Sequence, residues 1–166
     1  MNVLIVVESM FGNTRAVADA VAEGLRAGGA AVVVGDVTEV PPAVPHGTDL
    51  LVVGGPTHAF SMTRESTRTD ALSKAHAENS GAKAATGIRE WIAAATPDQV
   101  RVVTFDTRVK KAFIPGSAAK SAAKSLAEHG FTHAERGETF WVADTPGPLV
   151  DGELERAQEW GRSLTA

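Results

Sequence analysis

The residues best suited to chemistry in this sequence sit in three short segments. The first is Ser9-Met10-Phe11-Gly12-Asn13-Thr14, between an apolar run and a segment of helical spacing. A glycine free to take a left-handed backbone, followed by Asn and Thr at a helix start, suits an anion: first-turn amides lack intrahelical partners and the helix dipole favours negative charge. The same turn also reads as an N-capping turn without a ligand. It is neither a Walker A loop, which needs a lysine before the last hydroxyl residue, nor a dinucleotide fingerprint, which needs two further glycines.

The second segment, Gly54 to Met62 (GGPTHAFSM), places His58 and Phe60 beside a diglycine, where a flat aromatic ligand would be sandwiched. Alternatively, Phe60 plugs the edge of the core and His58 is a surface residue. The third, Phe105 to Lys124, holds Arg108, Lys110 and Lys111, followed by Pro115, Gly116 and Ser117, which signal a helix start. A charge run of this kind also reads as a solvated basic face.

The elements that would position these segments follow from hydrophobic pattern. Val3–Val7, Ala31–Gly35, Leu50–Gly54, Val100–Phe105 and Phe140–Ala143 are short, apolar and rich in β-branched residues, as expected of strands buried on both faces of a parallel sheet. Helical spacing appears over Asn13–Ala27, where Val17, Val21 and Leu25 share a face, and over Gly87–Ala95, Ser117–His129 and about 151–163. Pro41, Pro42 and Pro45 exclude a long helix between the second and third strands. The polar stretch Thr57–Thr86 is longer than an ordinary strand-to-helix loop; Asp70 is expected to cap a short helix through Asn79, ended by Gly81. Trp91, Trp141 and Trp160 are expected in the core. The reading is one α/β domain over 1–166, doubly wound about a five-stranded parallel sheet, with an insertion at about 61–86. In such a sheet the ligand crevice lies beyond the carboxyl ends of the strands, where all three segments meet.

Composition narrows the chemistry. The 166 residues include no cysteine, so thiol catalysis, thiolate metal sites and disulfides are excluded. No segment has the pattern of a leader or the length of a membrane span, and a cytoplasmic location is the expectation. A net charge of −4 argues against nucleic acid as a general partner. The charge is segregated, however: residues 101–124 carry six basic side chains and one acidic, a basic island in an acidic chain. His129 and His133 have helical spacing but no third ligand, and Asp106 lacks the acidic pair of a phosphoacceptor site, so neither a metal nor a phosphoryl site is expected.

Taken with the strand and helix order over nearly the whole chain, the segments ESMFGNT, GGPTHAFSM and PGSAAKSAAK resemble flavodoxins, and more narrowly an actinobacterial-type member of the flavodoxin family. The resemblance implies a sheet order of 2-1-3-4-5 and a site for flavin mononucleotide (FMN). It assigns Ser9, Met10, Phe11, Gly12, Asn13 and Thr14 to the phosphate. Pro56, Thr57, His58, Ala59 and Phe60 match the second flavin loop, and Asp106, Thr107, Arg108 and Val109 begin the third. Two departures stand out. Phe11 replaces a common hydroxyl residue, and the chain has no tyrosine to cover the outer flavin face, leaving Phe60, His58 or Phe113 as substitutes.

The function so implied is a low-molecular-weight electron carrier, serving a redox protein partner or a small-molecule acceptor. The alternatives are an FMN-dependent NAD(P)H:quinone or small-molecule reductase and a flavin-free binding module on the same scaffold. If Arg108, Lys110 and Lys111 lie beside the ring, they are expected to raise its final reduction potential relative to that of an acidic flavodoxin.

Overall fold

The computed structural model describes residues 1–75, 84–111 and 114–166. Five parallel strands form the sheet: β1 (Asn2–Val7), β2 (Ala31–Asp36), β3 (Leu50–His58), β5 (Arg101–Val109) and β6 (Ala134–Val142), with β4 (Ser61–Met62) a short antiparallel partner at the end of β3. Their order is β2-β1-β3-β5-β6, which over the parallel strands is the expected 2-1-3-4-5. Among the described residues the helices are α1 (Asn13–Ala27), α2 (Glu65–Ala75), α3 (Ile88–Ala94), α4 (Ala118–Glu128) and α5 (Glu153–Ser163).

Alternate residues of the central strands feed two cores, one on each face of the sheet. Ile5, Val7, Val52 and Phe105 pack with Val17, Val21 and Leu25 of α1 and with Ala157 of α5. Leu4, Val6, Leu51 and Val53 pack with Ile88, Trp91 and Ile92 of α3 and with Ala118, Ala122 and Leu126 of α4. Burial on both faces is why these strands read as continuous apolar runs. On the first face the helices approach closely, because a Cβ on Gly24 of α1 would strike the Gln158 carbonyl oxygen and one on Gly161 of α5 that of Val21.

The strands are longer than their apolar runs. β3 continues through Pro56, Thr57 and His58, and β5 through Asp106, Thr107, Arg108 and Val109. β6 begins at Ala134, six residues before its apolar stretch. Parallel pairing carries these polar extensions: Gly55 pairs with Asp106 and Pro56 with Thr107, while Asp106 pairs with Thr139 beyond a register irregularity. The segments read as the second and third loops therefore start as strand.

Trp91 is in the core, and Trp160 packs against Phe105 and Phe140. Trp141 departs from expectation: β6 is an edge strand, and the ring is only half-buried there, beneath the Arg108 guanidinium. The helix expected from Asp70 starts five residues earlier, at Glu65. Asp70 lies inside it, paired with Lys74 at 3.0 Å. The expected end at Asn79 and Gly81 lies outside the described residues. No helix among the described residues is long and apolar enough to cross a membrane.

Candidate functional site

The turn after β1 is built around its own side chains. Gly12, at φ 91°, lets the chain reverse into α1, and Ser9 Oγ accepts from the amides of Gly12 (3.1 Å) and Arg15 (3.3 Å). Asn13 donates its side-chain amide to the Pro146 carbonyl at 3.2 Å, and the Thr14 and Thr107 hydroxyls share a buried 2.8 Å hydrogen bond. The side chains of Asn13 and Thr14 are thus engaged in shaping the loop, and Ser9, an acceptor in both of its bonds, does not line the crevice. No described residue accepts from the backbone amides of Asn13 or Thr14. What the turn offers a ligand is therefore backbone N–H at a helix start, the arrangement that suits a phosphate.

The second segment is a hairpin. His58 pairs with Ser61, and the two turn residues, Ala59 (φ 46°) and Phe60 (φ 72°), both take left-handed backbone. Such two-residue turns ordinarily hold Asn-Gly, so the strain is borne here by residues that carry a Cβ. Phe60 does not plug the core; it is 58% exposed. His58 is half-buried at the turn, and no described residue hydrogen-bonds its ring nitrogens. Burial lowers its pKa and the charges of Arg68 and Lys74 add to this, opposed by Asp70; the net effect favours the neutral imidazole.

In the third segment Asp106 is fully buried and is the point to which the site is tied. Its carboxylate accepts from the hydroxyls of Thr57 (3.0 Å), Ser117 (2.6 Å) and Thr139 (2.6 Å) and from the Ala119 amide (3.0 Å). Arg108 donates to the Ile114 carbonyl at 2.7 Å and lies 5.4 Å from the centroid of the Trp141 ring.

Beyond the carboxyl ends of β1, β3 and β5 these segments enclose one crevice of about 270 Å³. Met10, Phe11, Asn13, Thr14, Pro56, Thr57, His58, Ala59, Thr107, Arg108 and Val109 line it. The remaining expected residues do not. Ser9 and Gly12 support the turn from behind, Asp106 lies beneath the floor, and Phe60 points out to solvent. Lys110 and Lys111 are also outside the crevice, and Phe113 lies outside the described residues.

One wall is built from residues that the sequence reading did not assign to the site. Thr67, Asp70, Ala71 and Lys74 of α2 face the crevice at i, i+3, i+4 and i+7. The spacing was a usable signal, but in so polar a segment it resembles a solvated helix.

A buried ionic network fixes that wall. Arg68, fully buried, donates to the Ala84 carbonyl (2.7 Å), Thr63 Oγ1 (2.7 Å) and Glu90 Oε1 (2.8 Å). Thr63 donates in turn to Glu8 at 2.6 Å, and Glu8 also accepts from the Ile88 amide at 2.8 Å. Burial raises the Glu8 pKa, outweighing those two hydrogen bonds and the charge of Arg68. Glu8 immediately precedes the phosphate-type turn, so the network joins that turn to α2 and to the start of α3.

No protein-family model matches the chain, and no curated protein matches it. Solved structures do. A flavodoxin from the domain Archaea superposes with a TM-score of 0.62 at 17% identity, covering 99% of this chain and 96% of that one. Oxidised flavodoxin 1 from Bacillus cereus gives 0.59 at 15% identity, over 97% and 95%. The flavodiiron protein from Giardia intestinalis gives 0.58 at 19%, over 99% of this chain and 35% of that chain. With the strand order and the crevice at the carboxyl ends of the central strands, these likenesses show that the chain has the flavodoxin-like fold.

Proposed function

We propose that the protein binds FMN and serves as a low-molecular-weight electron carrier. The observation that carries this reading is the convergence of three separate segments on one crevice that joins helix-start amides, unpaired among the described residues, to a slot lined by both apolar and polar side chains. The donor set fits the group. The amides of Asn13 and Thr14 suit a phosphate, while Met10, Pro56, Ala59 and Val109 suit the faces and edges of a flat ring. Thr57 and Thr107 contribute position, since their hydroxyls are already bonded to Asp106 and Thr14. FMN, when bound, supplies one- and two-electron chemistry, and the chain supplies binding, orientation and electrostatics. A cytoplasmic carrier of the actinobacterial type is the narrower form of this proposal.

The test is an absorbance spectrum of freshly purified protein, followed by titration of FMN monitored by flavin fluorescence. A yellow protein, or stoichiometric quenching, supports the reading. Colourless protein that does not quench added FMN leaves a flavin-free binding module on this scaffold.

A second reading, an FMN-dependent reductase of a quinone or other small molecule, is favoured by the α2 wall. That wall narrows the crevice beside the neutral His58, a hydrogen-bond donor and acceptor suited to a small carbonyl compound. Turnover of NAD(P)H with a quinone separates this reading from the carrier.

A further inference from the structure

The rim of the crevice on the hairpin side is apolar at its tip and cationic around it. Phe60 is 58% exposed and Ile114 40%. They belong to one patch: Gly116, two residues from Ile114, packs under Phe60, where a Cβ would strike the Phe60 carbonyl oxygen. Gly116 itself has φ 95°, so three left-handed backbone positions, Ala59, Phe60 and Gly116, meet at this patch. Left-handed backbone is unfavourable for Phe, and nothing in the core gains from a ring that points into solvent. Strain held at an exposed aromatic residue beside a ligand crevice marks a binding feature rather than a packing one.

The charge around the patch has one sign. Arg108 lines the crevice and holds the Ile114 carbonyl, Lys111 follows at the exit of β5, and Lys120 stands next to Ser121, whose hydroxyl bonds that of Ser61 at 3.0 Å. Among the described residues none of these three cations pairs with a carboxylate. The acid of this stretch, Asp106, is buried with four donors. Asp70, across the crevice, is matched by Lys74. The rim therefore presents a cationic field about an apolar point on a protein whose net charge is negative.

We propose that this rim docks an acidic redox protein, with Phe60 as the apolar anchor and Arg108, Lys111 and Lys120 as the charged surround. The proposal rests on the FMN reading for its purpose, because a partner seated there lies against the mouth of the crevice. It does not rest on that reading for the contact itself. Complementary charge steers association and makes it salt-dependent, and an aromatic anchor carries a large share of the binding energy.

The experiment measures binding of an acidic [2Fe–2S] ferredoxin to the full chain by calorimetry between 50 and 300 mM salt. It uses the parent protein, Lys111→Glu/Lys120→Glu and Phe60→Gly, with FMN affinity, NADPH binding and sedimentation measured on each. We expect the ferredoxin complex to weaken at least tenfold across the salt range and at least tenfold on charge reversal. Phe60→Gly is expected to weaken it similarly while keeping or raising the melting temperature, because glycine relieves the left-handed strain; a packing role for Phe60 predicts a lower melting temperature instead. Absence of a ferredoxin complex, affinity untouched by the variants, charge reversal that abolishes only NADPH binding, or a rim buried in a dimer of this chain would each overturn the proposal. Ferredoxin binding by a protein that takes no FMN would overturn the carrier reading and leave the docking rim standing.

Discussion

Glu8 and Arg68, both fully buried, meet through a single hydroxyl: Thr63 Oγ1 donates to the Glu8 carboxylate at 2.6 Å and accepts from the Arg68 guanidinium at 2.7 Å. This pairing ties the start of the phosphate-type turn to the helix that walls the crevice. Replacing Arg68 by Met leaves Glu90 without its 2.8 Å ion pair, Glu8 without the positive charge beyond Thr63, and the Ala84 carbonyl without a donor. We expect a loss of about 3 kcal/mol, since removing one partner of a buried pair strands the other, read from the urea midpoint. Hydrogen exchange should show the α2 amides losing protection before those of α1.

The two acids that flank this network respond to pH in opposite senses. Glu8 has a raised pKa, so the folded protein binds its proton more tightly than the unfolded chain does. Its contribution is fully present below the ordinary carboxylate pKa and is lost as pH rises through the folded value. At Glu90, burial pushes the pKa up but is outweighed by hydrogen bonds from Arg68 and the Gly87 amide, leaving it lowered. Its contribution is present above the ordinary carboxylate pKa and is lost as pH falls through the folded value. Stability of Glu8→Gln measured against pH should therefore lack the decline on the alkaline side of the carboxylate range. Glu90→Gln should lack part of the decline on the acid side. Identical slopes in both variants and the parent would contradict this assignment.

Asp106 holds Thr57, Ser117 and Thr139 on three different segments. Asp106→Asn keeps the shape but turns an N–H₂ toward groups that donate. We expect a cost of about 2 kcal/mol from the mismatched buried hydrogen bonds, together with weaker FMN binding as the floor beneath Thr57 and Thr107 loosens. Chemical denaturation reads the first and flavin fluorescence the second.

Phe11 lines the crevice but offers the anion nothing polar, the Thr14 hydroxyl is engaged with Thr107, and Ser9 does not line the crevice. Phe11→Ser adds a free hydroxyl at the amide cradle. We expect FMN to bind up to about tenfold more tightly, the worth of one good hydrogen bond. Riboflavin, which lacks the phosphate, serves as the control and should show no gain.

How far the sequence reached depended on where the polar groups go. Over α1 the stripe of Val17, Val21 and Leu25 and the glycines at either end placed both boundaries where the structure has them. The strands were read short because pattern follows apolar side chains. Thr57, Asp106, Thr107 and Thr139 stay in strands by bonding to one another and to Thr14, which no periodicity reveals. The outline of the site followed from three segments at the carboxyl ends of strands. Its α2 wall escaped because the residue that anchors that helix to the body is an arginine, and its partners lie on three other segments.

The glycines at the crossing of α1 and α5 divide the molecule into parts of unequal freedom. With backbone against backbone at Gly24 and Gly161, α1 has no room to slide along or roll on its neighbour. The amides at its N-terminal end are thereby held at a fixed height above the sheet. The opposite bank of the crevice hangs on one guanidinium and a two-residue turn. A chain built this way can change what it admits, by substitutions in α2 and the hairpin, while the seat for an anion stays where it is.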